Sequence, residues 1–343
     1  MSCIQNINRF LIPNDVIVTL SEIYQFIGKN DEFIELVGND KERVIGQTVE
    51  RDSYFLSKIL GYDISDMRTR LIITKDSNPR NKDETTLSNL KDMLLNIQKR
   101  PMQFNLKSND ILNVTNLVFA HYNTAIKFDY VPSEKKSLLQ SQNMKSKRLI
   151  IDEINTEVEL ICKNKSYEKI TLFLHYFIDF YNIKPLSSQN EVANWLFLYL
   201  LLIKCNITAF RYVSFFEIIF EDYKNFQTEL LNSSFNWQEG FSQSTGFIRY
   251  MVNLILNGYK KADEIIRNYK FDKDLNKIEN IKNTIFNMTE IFTKEEIRHI
   301  HPYVSESTIN RALLSLRDDG FISPLGKGRS AKWIRKSRGY RND

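Results

Sequence analysis

A polar loop with the sequence KPLSSQNEV, residues 184–192, lies between two strongly apolar segments. Its positions with chemical potential are Lys184, Pro185, Ser188, Asn190 and Glu191. Lys184 is protonated near neutral pH and is therefore a poor general base. Ser188 has no charge with which to hold a metal ion, and Glu191 is an acid that repels phosphate. These residues predict an interhelical turn; the alternative is a site in which Lys184 contacts phosphate as a point charge.

The C-terminal segment, 284–343, carries residue types that bind nucleic acid. Its sequence predicts two short helices joined by the turn HPYV, then two strands around a glycine turn, and so resembles a winged helix-turn-helix. The second helix of such a module enters the major groove, where Asn pairs with adenine and Arg with guanine. The residues expected to face base edges and, on the wing, phosphates are Ser307, Asn310, Arg311, Lys327, Arg329 and Lys332.

Double-stranded DNA is therefore the expected partner of this segment. Winged helices also serve as protein-interaction or dimerisation modules, and Glu306 is unfavourable near phosphate. Because DNA readers of this kind gain specificity from paired half-sites, we expect a homodimer, or a helical domain that binds a protein or small effector. The motif His301-Pro302-Tyr303 lies in the predicted turn and has no glycine-rich continuation, which excludes it as a catalytic loop.

Helical periodicity dominates the first 270 residues, so we predict a mainly α protein with a small winged domain at its end. Residues 127–148 are polar and lack clear periodicity, and we expect a long loop or irregular hairpin there. The helices are predicted over 19–35, 41–60, 84–100, 110–124, 152–163, 167–182, 190–205, 213–231 and 244–269. The predicted segments are a helical region at 1–110, a core at 111–268, a linker at 269–283 and the DNA reader at 284–343.

Composition excludes several classes of protein. Cys3, Cys162 and Cys205 are scattered and odd in number, which indicates a reducing compartment rather than a disulfide framework. Neither Cys nor His forms a cluster with metal-ligand spacing, so no metal site is expected. The longest apolar run, 195–203, is far short of the ~20 residues that span a bilayer. Without a signal-peptide pattern, the expected location is the cytoplasm, away from membranes.

Residues 171–204 resemble the catalytic core of the Fic (Fido) family, whose loop reads HPF-x-(D/E)-GNGR between two helices. The lead-in LFLHYFIDFYNI is similar to the family pattern H-x-x-F-x-x-I. Phe180 and Ile183 fit that pattern, whereas Phe177 stands in place of its His. Within the loop only Pro185 and Asn190 match the family.

The resemblance implies the fold of an AMP-transferring enzyme whose catalytic residues have been replaced. The alternative to an inactive loop is a nucleotide site that has been retargeted. By position, Lys184 replaces the general-base His and Ser188 replaces the acid that binds Mg²⁺. Gln189 and Glu191 replace two glycines that allow close approach of the phosphates, and Val192 replaces the Arg that grips them. Residues 53–65 are similar to the family's inhibitory helix, with Leu60 where its Glu would stand.

These observations predict a catalytically inactive Fic-like protein that acts as a DNA-binding transcriptional regulator and needs no cofactor. The alternative is an enzyme that transfers AMP from ATP, with Mg²⁺, to a protein hydroxyl through a non-standard loop. A third reading is an interaction scaffold, such as an antitoxin-like partner, whose winged helix contacts protein.

Overall fold

The computed structural model describes residues 2–132, 144–274, 277–302, 304–326 and 331–336; for 270–274 and 277 it describes the backbone alone. Helices dominate these ranges, and the predicted mainly α class is confirmed. The helices are α1 (Asn14–Ile27), α2 (Asn30–Val37), α3 (Lys41–Ile59), α4 (Asp66–Lys75), α5 (Lys82–Lys99), α6 (Ser108–Val118), α7 (Lys147–Asn164), α8 (Lys169–Ile183), α9 (Asn190–Lys204), α10 (Phe215–Glu221), α11 (Tyr223–Ser233), α12 (Thr245–Asp274), α13 (Lys277–Asn287), α14 (Lys294–Ile300) and α15 (Glu306–Asp318). The strands are β1 (Tyr130–Pro132), β2 (Met144–Ser146), β3 (Ile291–Thr293), β4 (Ile322–Pro324) and β5 (Lys332–Arg335).

The chain divides into two compact units. Unit 1 comprises Met1–Gly28 and Thr48–Tyr259, and unit 2 comprises Lys29–Gln47 and Lys260–Asp343. The later division therefore falls at Tyr259, within α12, whereas the sequence predicted borders at 268 and 283. Residues 269–283, predicted as a linker, contain the end of α12 and the start of α13.

Helices α8 and α9 pack together in unit 1 and are buried on nearly every side. Such helices need apolar residues all round, which explains their continuous apolar sequences. The carboxylate of Glu168 starts α8 by accepting from the backbone N–H groups of Ile170 and Thr171, at 2.8 and 2.6 Å. Burial of so many large side chains fixes both helices, and with them the loop between them.

Buried Asp179 of α8 holds the N-terminus of the chain in unit 1. Its carboxylate accepts from the backbone N–H groups of Cys3 at 2.6 Å and Ile4 at 3.0 Å, and from Nε1 of Trp237 at 2.7 Å. Burial raises the pKa of Asp179 to about 6, and these donors oppose that shift. A charged carboxylate so placed is tolerated because each of its oxygens is hydrogen-bonded.

The apolar pattern over 19–35 predicted one helix, and this prediction is wrong. The structure ends α1 at Ile27 and starts α2 at Asn30. The N–H of Gly28 still donates to the carbonyl of Tyr24 at 3.0 Å, so the break follows immediately after a regular last turn. Asp31 and Glu32 occupy the first turn of α2, where acids interact favourably with the helix dipole. The same break separates the two units.

The polar segment 127–148 contains a pair of short strands at its ends. β1 and β2 are antiparallel, with Tyr130 opposite Ser146 and Pro132 opposite Met144. Of the two structures expected for 127–148, a long loop or an irregular hairpin, the described residues fit the hairpin. The strands escaped detection because they are three residues each and mostly exposed, so burial imposes no period-two pattern on them.

The C-terminal part of unit 2 has the element order α13, β3, α14, α15, β4, β5. Its sheet is antiparallel with β5 between β3 and β4. Thr293 and Glu296 form a capping box at the start of α14, and the Ser305 hydroxyl accepts from the N–H of Thr308 to start α15. The buried face of α15 consists of Ile309, Ala312, Leu313 and Leu316.

No helix in the described ranges is long and apolar enough to cross a membrane. Cys3, Cys162 and Cys205 all have free thiols.

Candidate functional sites

The 184–192 loop is held in shape by Asn190. The Oδ1 atom of Asn190 accepts from the N–H of Leu186 at 2.9 Å, and its Nδ2 donates to the Leu186 carbonyl at 2.6 Å. Lys184 ends α8 with φ +47°, and Gln189 precedes α9 with φ +60°. Both lie in the left-handed region that glycine favours. The side chain of Asn190 therefore closes the loop on itself.

The segment before β1 pairs with this loop and uses its backbone groups. The N–H of Ser187 donates to the Lys127 carbonyl at 2.8 Å, and the N–H of Asp129 donates to the Pro185 carbonyl at 2.9 Å. Phe128 and Leu186 form an isolated antiparallel bridge between these contacts. Backbone N–H groups of Leu186 and Ser187 are thus committed within the protein, where an anion-binding loop would present them to a ligand.

The remaining loop positions have varied surroundings. Pro185 is buried, whereas the side chains of Lys184 and Ser188 are exposed. The carbonyl of Lys184 accepts from Nζ of Lys147 at 3.1 Å. Val192 is buried and apolar.

A cleft of ≈ 360 Å³ opens where α8, α9 and α11 meet, at the start of α9. Trp195 of α9 stacks on Phe226 of α11 with ring centroids 5.0 Å apart, which builds one wall. Gln189, the residue that precedes α9, makes no side-chain capping bond to the helix. The lining residues are Phe177, Tyr181, Lys184, Asn190, Glu191, Asn194, Trp195, Tyr223, Phe226, Gln227, Leu230 and Leu231. The loop predicted from the sequence is therefore the polar edge of an aromatic cleft.

Glu191 and Asn194 provide two acceptors to this cleft. Glu191 is exposed at the edge of the cleft and its carboxylate makes no hydrogen bond or ion pair within the described part of the chain; desolvation by the neighbouring side chains raises its pKa. Burial, followed by the charge of Glu191, raises the pKa of Tyr181 and of Tyr223. The Oδ1 atom of Asn194 is buried and lacks a hydrogen-bond partner within the same ranges. A ligand that donates hydrogen bonds would satisfy both groups.

Sequence reasoning identified Lys184, Asn190 and Glu191 but missed Asn194, Tyr223 and Gln227. Asn194 had a signal, because it is the only polar residue after Glu191 in the first two turns of an otherwise apolar helix, and residues three or four apart share a face. Tyr223 and Gln227 had none, since they reach the cleft through the packing of α11.

The predicted base-reading residues lie together on the surface of α15. Ser307, Asn310 and Arg311 are exposed, in the first half of the helix and opposite its buried stripe. The hydroxyl of Ser307 lies 2.9 Å from that of Ser305. Lys332 starts β5 and is also exposed. Lys327 and Arg329 lie outside the described residues.

Glu306, the acid that appeared unfavourable in the sequence, is paired. Its Oε1 accepts from Nζ of Lys294 at 3.0 Å, which joins the first turn of α15 to the first residue of α14. This contact compensates the carboxylate beside Ser307 and Asn310.

His301 is buried in the turn between α14 and α15, where its Nε2 lies 2.7 Å from the hydroxyl of Thr284. His175 of unit 1 is also buried: its Nδ1 lies 2.7 Å from the Thr171 carbonyl, and burial lowers its pKa to about 4. Within the described residues, no group of three or more His, Cys, Asp and Glu side chains is placed to hold a metal ion.

No protein-family model matches the chain, and no curated protein matches it in sequence. A solved structure does match: a Fic family protein from Desulfovibrio desulfuricans G20, 11% identical, with a TM-score of 0.56. The alignment covers 97% of this chain and 99% of that one. At this identity the likeness concerns the fold alone, and the chain therefore has the mainly helical fold of a Fic family protein.

Proposed function

We propose that the protein is a DNA-binding transcriptional regulator in which a catalytically inactive Fic-like domain serves as a dimerisation or effector-binding part. The proposal places DNA recognition on α15 and the hairpin of β4 and β5. Double-stranded DNA is the partner of that surface, the helical domain binds an effector or a second copy of the chain, and no cofactor is needed.

The observation that carries the proposal is the arrangement of the C-terminal elements. The order α13, β3, α14, α15, β4, β5, with β5 in the middle of the sheet, supports the winged helix-turn-helix predicted from the sequence. In that module the second helix of the pair enters the major groove with its N-terminal residues toward the bases. Asn310 and Arg311 occupy this half of α15 and are exposed. Both can make bidentate contacts to bases.

Electrostatics favours the same surface. The pairing of Glu306 with Lys294 removes an uncompensated negative charge from the helix start. Lys332 is exposed at the start of β5, and the sequence carries further cations at 327, 329, 335 and 336. Cations so grouped neutralise phosphates and release counterions on binding.

The loop at 184–192 argues against AMP transfer, because its residues do not fit ATP with Mg²⁺. The Leu186 and Ser187 N–H groups already have acceptors within the protein, as Asn190 and Lys127 show. Glu191 adds a negative charge to the cleft in which phosphates would lie. Lys184 is exposed, and within the described residues no group of three or more His, Cys, Asp and Glu side chains is placed to hold a metal ion. We therefore derive no catalytic step for this loop.

The test is fluorescence anisotropy of the full chain on DNA from upstream of its own gene and on scrambled DNA, across a salt series. We expect a preference for the upstream DNA that persists near physiological salt. If binding to both DNAs is equally strong and falls equally steeply with salt, the basic residues make only non-specific phosphate contacts. If the chain binds neither DNA at low salt, the interaction-scaffold hypothesis is favoured.

A further inference from the structure

We propose that the cleft between α8, α9 and α11 binds a small organic amine with an apolar body. This inference deepens the proposed function, on which it rests for the ligand's role as an effector; the binding itself requires no DNA.

The walls of the cleft favour an apolar or aromatic ligand body. Five aromatic side chains line it: Phe177 and Tyr181 from α8, Trp195 from α9, and Tyr223 and Phe226 from α11. Its volume, ≈ 360 Å³, is that of a site for a small molecule. Aromatic faces attract cations as well as apolar groups, and burial strengthens that attraction.

The polar groups of the cleft select the charge of the ligand. Glu191 and Asn194 are three residues apart on α9 and so share a face of the helix. The exposed Glu191 carboxylate and the buried Asn194 Oδ1 atom both lack a hydrogen-bond donor within the described part of the chain. An ammonium group supplies both the positive charge for the carboxylate and the donor hydrogens for the amide oxygen.

Lys184 does not satisfy the Glu191 carboxylate, although both line the cleft. Burial is the cause that acts on the pKa of Glu191, and no cation lowers it. Two backbone donors of the loop are also committed, since Leu186 and Ser187 donate to Asn190 and Lys127. The Glu191 carboxylate beside the aromatic walls therefore favours a cation as the polar group of the ligand.

Three compounds that share a phenyl ring and a short alkyl chain test this inference: 2-phenylethylamine, 2-phenylethanol and 3-phenylpropionate. Calorimetry with the full chain should show that the amine binds at least about tenfold more tightly than the alcohol, and that the acid is weakest. Glu191→Gln should remove the preference for the amine, with Glu35→Gln, an exposed glutamate on α2, as the matched control. Tyr223→Phe keeps the aromatic face and should retain binding.

The inference is overturned if 3-phenylpropionate binds as well as the amine, or if none of the three binds at about 10 mM, far above a useful affinity. It is also overturned if Glu191→Gln and Glu35→Gln bind the amine equally. Circular dichroism of each variant ensures that lost binding is not lost folding. Since none of these measurements contains DNA, their failure leaves the anisotropy test of the regulator intact, and the reverse also holds.

Discussion

The ammonium of Lys294 and the carboxylate of Glu306 are 3.0 Å apart, so the first turn of α15 begins with a compensated acid. A free carboxylate at the start of a helix that enters the major groove would face phosphate oxygens. The pair is partly exposed, and exposed pairs contribute ~0–1 kcal/mol to folding. Its consequence should therefore appear in DNA binding rather than in stability.

Substitution of Lys294 should leave the Glu306 carboxylate without its cationic partner. Lys294→Ala is expected to weaken DNA binding several-fold, because Glu306 is then uncompensated near phosphate. The double variant Lys294→Ala, Glu306→Gln should recover most of the affinity, as anisotropy at one fixed salt concentration will show. If the double variant stays as weak as Lys294→Ala, the lysine itself contacts phosphate and the compensation argument fails.

Arg311 should carry sequence discrimination. Arg311→Ala is expected to reduce the preference for cognate over scrambled DNA by ~1–3 kcal/mol, the worth of one bidentate base contact. Arg317 provides the matched control, since it lies on the same helix but pairs with Asp318 at 2.8 Å near the C-terminal end. Equal losses for Arg311→Ala and Arg317→Ala would exclude a groove contact by the first half of α15. Competition binding on both DNAs measures the difference.

Asn190 should matter to folding through its two hydrogen bonds to Leu186. Asn190→Ala leaves the Leu186 N–H and carbonyl without these partners and should lower the free energy of unfolding by ~1–3 kcal/mol. Asn194→Ala is the control one turn later on α9, because its Oδ1 has no partner to lose within the described residues. Urea denaturation of the two variants tests this order, and a greater cost for Asn194→Ala would contradict it.

Gln189 occupies a backbone conformation that a glycine would adopt without strain, with φ +60°. A left-handed conformation costs an L-residue ~1–2 kcal/mol, and glycine's greater freedom in the unfolded chain offsets part of the gain. Gln189→Gly should therefore raise stability by about 0.5–1 kcal/mol. Ser188→Gly, at a neighbouring position outside the left-handed region, should lower it. Thermal unfolding of both variants is the measurement.

Asp52 should make unit 1 less stable as the pH rises. Burial raises its pKa to about 7, although Ser214, Phe216 and Tyr199 all donate to its carboxylate. The folded state thus holds a proton that the unfolded state releases above about 4. The stabilisation is full below that pH and is lost as pH rises toward 7, at no more than about 1.4 kcal/mol per pH unit. The free energy of unfolding of the wild type minus that of Asp52→Asn should fall with this slope between about pH 4 and 7. If the wild type instead gains stability relative to the variant as the pH rises, the prediction is wrong.

His175 acts in the opposite direction, since burial lowers its pKa to about 4. The folded state keeps it neutral, so its contribution is full above the ordinary pKa of about 6.5 and is lost as pH falls toward 4. Using the difference between wild type and Asp52→Asn removes this effect from the test.

The central helices could be predicted closely from the sequence, but the cleft could not. α8 and α9 fall within two residues of the predicted spans because two apolar segments with a polar interruption leave few alternatives. The break at Gly28 and Lys29 interrupts an apolar spacing that continues in phase from Ile27 to Ile34. Helix α4 was missed, although Ser65 caps it, because its pattern is weakly amphipathic. The wall from α11 depends on tertiary packing, which no local pattern records.

Gln189 also shows that a left-handed turn between two helices need not carry a glycine. Its left-handed backbone is set by the closure that Asn190 makes and by the helices on either side, not by its own preference. A pattern that requires glycine at left-handed positions would therefore pass over this turn. Such turns are recognised from backbone geometry rather than from residue type.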